Sequence, residues 1–277
     1  MQLFRFRQLV GRQQIFYHFV EMPSVTFLGT GPGDVAAGRF QASILLEFGG
    51  HNLLLDAGEP CSAQLLELGF QLPDLDAVWI THAHADHLGG LPLLIQASWL
   101  HGRKNSLPLG VPQHLSGPLR AWLDTILLSS DVTRFPLDIF AWQTGKAVAM
   151  DDIAVTPHPT THLEGFKTMT GRADLTSFLF EIVSGERRFV YSGDLGSPHD
   201  LHNVLQKPVD LLICELAHFT PEELLTALRD AKVGTLCLTH VSTDLDERRG
   251  DIQMLFEREL SGTDAIYLPE DGERIDL

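Results

Sequence analysis

Cysteine is scarce in this chain of 277 residues: Cys61, Cys214 and Cys237 are odd in number and far apart. That argues against a disulfide framework or a zinc-finger spacing, and a reducing, cytoplasmic setting is expected. Long hydrophobic runs are also missing. The longest apolar stretches are strand-sized, so no membrane span is expected. Positive charge is thin, with 20 Lys and Arg against 36 Asp and Glu, a formal charge of −16 at pH 7. Such a surface repels phosphate backbones and disfavours stable nucleic-acid binding. No Pro/Gly/Ser-rich linker divides the chain, and no short-period repeat is visible.

The first residues differ from the rest. Arg5, Arg7 and Arg12 punctuate Leu3, Phe4, Phe6, Leu9, Val10 and Phe16, with no acid before Glu21. A secretory signal would need a continuous apolar stretch and a small-residue cleavage site, and neither is there. Residues 1–22 are read as an N-terminal extension, with a transit peptide or surface-binding helix as the alternative, and 23–277 as the folded domain.

What the chain does have is a globular composition, 44% hydrophobic and 20% charged. Strand-like runs occur at 24–28, 43–48, 52–56, 77–81, 177–182, 188–192, 211–215 and 235–239, rich in Val, Ile, Leu and Phe. Amphipathic helical patterns interleave with them at 61–69, 91–100, 119–129, 221–231 and 252–260. Thr220 before Pro221 reads as a helix cap with proline in the first turn. Interleaved strands and helices predict an α/β layered fold. Residues 101–160 are the least legible, expected to hold a helix, some strands and substrate-facing loops.

Several apolar runs close on an acid or a histidine: Asp56, His82, Asp194 and His240. Strand ends that deliver polar side chains to one sheet edge build active sites. The densest cluster is His82-Ala83-His84-Ala85-Asp86-His87, four candidate ligands directly after a buried strand. Unpaired imidazoles and carboxylates are costly to bury, and a divalent cation satisfies them. Nitrogen and carboxylate donors suit zinc, manganese or iron. His82 and His84 alternate and can reach one ion, while Asp86 and His87, around the turn, reach a second.

These segments resemble the metallo-β-lactamase superfamily over residues 24–242. In order they are Leu55-Asp56-Ala57-Gly58, Thr81 through His87, an isolated His, Ser192-Gly193-Asp194 and Leu238-Thr239-His240. The resemblance implies a four-layer αββα sandwich with two divalent ions, zinc foremost, at one edge. It implies that His82, His84 and a third His hold the first ion. Asp86, His87 and His240 would hold the second, Asp194 would bridge both, and Asp56 would orient the ligand loop by hydrogen bonding. Between Thr156 and His162 two residues compete for the third place: His162 matches the family position, and His158, between two prolines, reads as a loop residue. No cysteine stands where some lactam-cleaving relatives place one, so antibiotic hydrolysis is not expected.

Phe27-Leu28-Gly29-Thr30-Gly31-Pro32-Gly33, Asp56-Ala57-Gly58-Glu59 and His87-Leu88-Gly89-Gly90-Leu91-Pro92 resemble the tRNase Z-like branch. Glu215 and His218 precede the last ligand, where that branch carries a catalytic pair, and Asp86 counts among its catalytic residues. The departures are equally plain. Residues 163–193 leave no room for a tRNA-binding arm, and Val241-Ser242-Thr243 follows His240 where Arg-Tyr is expected. A small phosphodiester is therefore the expected substrate, cleaved by attack of hydroxide, with His218 protonating the leaving oxygen. The alternatives are a thioester, lactone or sulfate-ester hydrolase, a tRNase Z-like ribonuclease, and a non-catalytic metal-binding module. Relatives often form dimers, although nothing in the sequence marks a dimer face. His199 and His202 follow Asp194 closely enough to be candidates for substrate contact.

Overall fold

The computed structural model describes residues 22–277; residues 1–21, and with them nearly all of the expected extension, lie outside the described residues. The first sheet is built from β1 (Ser24–Gly29), β2 (Ser43–Phe48), β3 (His51–Leu55), β4 (Ala77–Trp79), β5 (Leu107–Val111) and β6 (Leu137–Ala141). The second takes β7 (Val148–Met150), β8 (Ile153–Thr160), β9 (Ser177–Ser184), β10 (Arg187–Tyr191), β11 (Val209–Leu216), β12 (Val233–Val241) and β13 (Ala265–Tyr267). The closing strand β14 (Arg274–Asp276) returns to the first sheet beside β1.

Strand order is β14-β1-β2-β3-β4-β5-β6 in one sheet and β13-β12-β11-β10-β9-β8-β7 in the other. Each is mixed in the same way. β14 to β3 pair antiparallel and β3 to β6 parallel, while β7 to β10 pair antiparallel and β10 to β13 parallel. The two halves of the chain thus repeat one pairing scheme that no sequence repeat announces.

Helices cover both outer faces. Over the first sheet lie α1 (Cys61–Glu67), α3 (Leu91–Leu100) and α4 (Gln113–Thr125), between which run the short α2 (Ala85–Leu88) and, further on, α5 (Ser130–Thr133). After α6 (Glu164–Thr170), the second sheet is covered by α7 (Pro221–Leu228) and α9 (Arg249–Glu259), with α8 (Thr243–Asp246) preceding α9. The apolar runs are continuous because central strands are buried on both faces. In β3, Leu53 and Leu55 point between the sheets while Leu54 packs under the helices. In β11, Leu211 and Ile213 point inward while Leu212 meets α7 and α9. Each such side chain contributes roughly 1.5–3 kcal/mol by leaving water. The result is the expected αββα sandwich.

Two local expectations are corrected. His158 is in β8, not a loop. Pro157 and Pro159 are tolerated there because β7 covers only the start of β8, so their missing N–H groups face an open edge. Pro157 still accepts a bond from the Gly145 amide there, at 2.9 Å. Helix α4 spans Gln113–Thr125 rather than 119–129, with Pro118 in its interior.

Candidate metal centre

The loops that follow β3, β4, β8, β10, β11 and β12 meet at one edge of the sandwich and bring the candidate residues together. Asp56, just past β3 in a left-handed conformation (φ 58°), is fully buried and organises the ligand loop. Its Oδ1 accepts the Thr81 amide at 2.7 Å, and its Oδ2 accepts the Thr81 hydroxyl at 2.8 Å, His87 Nδ1 at 2.7 Å and the Tyr191 hydroxyl at 2.8 Å. Donation from His87 Nδ1 to Asp56 leaves Nε2 as the atom that faces the site. His82 is treated similarly: its Nδ1 is 3.0 Å from the Thr81 hydroxyl, which in turn donates a hydrogen bond to Asp56. Such partners fix the tautomer and orientation of metal-binding imidazoles.

Asp194 sits between two groups of donors. Its Oδ2 is 3.6 Å from both His82 Nε2 and His162 Nε2, and His84 Nδ1 is 3.0 Å from the former and 3.1 Å from the latter. Its Oδ1 is 3.2 Å from His87 Nε2 and 3.5 Å from His240 Nε2, with Asp86 Oδ2 at 3.3 and 3.7 Å from those two nitrogens. Four donors held about 2.0–2.2 Å from one ion in a tetrahedron stand roughly 3.3–3.6 Å apart. The separations in the two groups, 3.0–3.6 Å and 3.2–3.7 Å, bracket that spacing. His87 Nε2, Asp194 Oδ1 and His240 Nδ1 are buried with no hydrogen-bond partner, an arrangement a cation would relieve at the first two. The cluster is therefore able to bind metal.

The electrostatics agree. Burial holds the His82 imidazole well below its ordinary pKa and pushes His162 down to about 4, so both present lone pairs at neutral pH. Burial opposes ionisation of Asp194, but His240, His87 and His82 outweigh it and hold the carboxyl well below its usual range. His87 is raised, because Asp194 and Asp56 outweigh its burial. Metal uptake there would displace a proton.

His158 lies elsewhere, its Nε2 2.9 Å from Glu181. Glu215 is buried and fully engaged: it accepts the amides of Leu195, Ala217 and His218 as well as His218 Nδ1 at 2.9 Å. That leaves His218 Nε2 pointing at the site, 4.0 Å from Asp194 Oδ2. The imidazole loses some basicity to burial, but Glu215 and Asp194 more than restore it and raise its pKa. His199 and His202 are exposed, stacked on each other at 5.4 Å, and absent from the cleft wall.

Residues that sequence reasoning missed hold the loops. Asp200 Oδ2 accepts the amides of Thr161 and Gly196, both at 2.9 Å, and the Thr161 hydroxyl donates its one proton between the two oxygens of the same carboxylate. One side chain thus ties the loop before His162 to the loop after Asp194. The two Asp-x-Gly turns, Asp56-Ala57-Gly58 and Asp194-Leu195-Gly196, use their glycines alike. A Cβ on Gly58 would lie 2.3 Å from the Asp86 carbonyl oxygen, and one on Gly196 would lie 2.2 Å from Thr161 Oγ1. The recurring Asp-x-Gly was a visible signal for the second turn; nothing local marked Asp200 or Tyr191.

A cleft opens over the donors, lined also by Pro32, Gly33, Asp34, Ser242 and Thr243. Lys and Arg are absent from its described wall, and nearby Arg39 is committed to Asp246 and to the Thr30 carbonyl.

Residues 51–241 match the family model described as the beta-lactamase superfamily domain. The chain is 29% identical to a ribonuclease Z of Methanopyrus kandleri, over 80% of its own length and 88% of the relative's. It is 31% identical to the anti-Pycsar protein Apyc1 of Saccharibacillus brassicae, over 68% and 84%. Among solved structures, the metallo-β-lactamase fold protein YhfI of Bacillus subtilis superposes with a TM-score of 0.72 at 20% identity, over 93% of this chain and all of that one. With the superfamily's sequence pattern and its layered fold both present, the chain belongs to the metallo-β-lactamase superfamily, among its hydrolases.

Proposed function

We propose that the chain is a phosphodiesterase working at a dinuclear centre. His82, His84 and His162 would hold one divalent ion, Asp86, His87 and His240 the other, and Asp194 would lend an oxygen to each. Zinc suits this donor set, with manganese or iron as substitutes. The observation that carries the reading is Asp194, whose two buried oxygens face two separate sets of donors. Bound ions would supply Lewis acidity and water activated for attack near neutral pH.

The chain's own groups account for the rest. Glu215 fixes His218 with Nδ1 turned inward, so Nε2 is the atom available to protonate a leaving oxygen. Asp86 lines the cleft as well as facing His87 and His240. The wall offers Asp34 and no cation, which favours a singly charged diester over a polyanion. Identity to ribonuclease Z supports RNA cleavage as a second reading. Against it, the stretch from His162 to Asp194 holds only α6, β9 and β10. Free, buried Cys61, Cys214 and Cys237 suit a cytoplasmic setting.

Bis(p-nitrophenyl) phosphate tests this. Protein reconstituted with zinc or manganese is expected to turn it over, and chelation to stop it. Asp194→Ala should lose more than the roughly 10–100-fold typical of removing a mere supporting partner of a ligand. His218→Ala should slow alkyl leaving groups more than p-nitrophenolate. No turnover by protein shown to carry metal would defeat the proposal and turn attention to thioesters and lactones.

A further inference from the structure

Helix α6 begins two residues after His162 and buries none of its seven residues. It ends at Gly171, left-handed at φ 68°, which turns the chain back towards β9. On a chain with ample apolar core, a short helix at the site's rim that carries Phe166 and Met169 outward calls for an account. Phe166 is 39% exposed and Met169, one turn on, 78%. Exposed apolar residues scattered singly are ordinary. Phe166 is set apart by its neighbour: its ring lies 4.8 Å from that of His84, at 65°, and 6.5 Å from that of His162. His84 also lines the cleft, so Phe166 stands just across one candidate ligand from the reaction centre. Phe166 stands beside the cleft lining rather than in it, and among the lining residues only histidines offer an aromatic ring.

The geometry points to Phe166 as a specificity-determining platform for a planar aromatic substituent on the substrate, a nucleobase or an aryl group. The inference rests on the phosphodiesterase reading and names the substrate class of the same site. A phosphoryl group near the donors would direct one substituent past His84, over the exposed part of the Phe166 ring, with Met169 extending the apolar strip. With no Lys or Arg on the cleft wall, stacking would supply affinity for the substituent that lies away from the phosphoryl group. Aromatic side chains accept any base, because every base has a π-face.

The test is equilibrium binding by calorimetry to full-length protein with verified zinc content, beside hydrolysis of diesters. Adenosine monophosphate represents a nucleobase, phenyl phosphate an aryl group, and ribose 5-phosphate neither. Phe166→Leu keeps apolar contact with His84 but removes the planar face, and Phe166→Trp keeps a planar face. We expect Phe166→Leu to weaken adenosine monophosphate, phenyl phosphate or both by about tenfold, the scale of one stacked ring, and ribose 5-phosphate by less than about twofold. Whichever aromatic ligand responds identifies the source, and Phe166→Trp should restore it. Equal loss for all three ligands, or none, would overturn the inference. Aromatic-selective binding without diester turnover would overturn the phosphodiesterase reading alone; turnover with a silent Phe166→Leu would overturn this one alone.

Discussion

At the scale of single residues, the site divides into groups that chemistry announces and groups that only folding reveals. His82, His84, Asp86 and His87 are legible because four donors in six positions have no economical structural use. Asp194 and His240 are legible as polar ends of apolar runs. Asp200 and Tyr191 are not: each acts on a residue far along the chain or across the sandwich, and no spacing encodes that. Asp200 serves as a bracket, so Asp200→Asn should keep the fold yet weaken metal binding by roughly 10–100-fold. Competition with a chromophoric chelator measures it, and the ligand-field spectrum of the cobalt-loaded protein should shift with it. An Asp200→Asn protein with unchanged affinity and spectrum would show the bracket to be ornamental. Its neighbours His199 and His202, attractive in sequence because they are histidines, face solvent.

Among elements, central strands and the outer helices were readable, since double burial writes continuous apolar runs and single burial writes a periodic face. The stretch 101–160 was not, because β5 to β8 include prolines and polar residues at positions only tertiary pairing makes acceptable. Helix starts were uneven. The pattern that begins at Leu119 misses the first turns of α4, which carries Pro118 inside, whereas Thr220 is the cap its sequence suggests. The Thr220 hydroxyl accepts the Glu223 amide while the Glu223 carboxylate accepts the Thr220 amide, a reciprocal box at the start of α7. Thr220→Ala should therefore lower unfolding free energy by about 1 kcal/mol. Chemical denaturation would register this as a lower midpoint at constant slope, and an unchanged midpoint would show the cap to be redundant with the packing of Leu224 and Leu228.

For the whole molecule, the sandwich is legible in the sequence, as is the gathering of candidate donors at one edge, but the repetition of one pairing scheme in both sheets is not. That architecture divides the candidate ligands. His82, His84, Asp86 and His87 follow β4 of the first sheet, whereas His162 and Asp194 lie in loops of the second and His240 near the end of its strand β12. Bound ions would add to the ties that already join the layers at this edge: the Tyr191–Asp56 hydrogen bond, the backbone bonds from Phe178 to Thr81 and from Val241 to Thr30, and side-chain packing. Zinc at about 100 times its dissociation constant should add about 2.7 kcal/mol to stability, seen as a rise in melting temperature that chelation reverses. Metal-free protein is expected to exchange amide hydrogens faster in the loops after β4, β10 and β12 than in the strands between the sheets. A uniform change across both sheets would refute the clasp. Proteases sample the opened fraction of a protein, so such a clasp would tie abundance to metal supply. When metal is short, unloaded copies would be cleared first, and the cell would keep a smaller but fully charged stock of the enzyme.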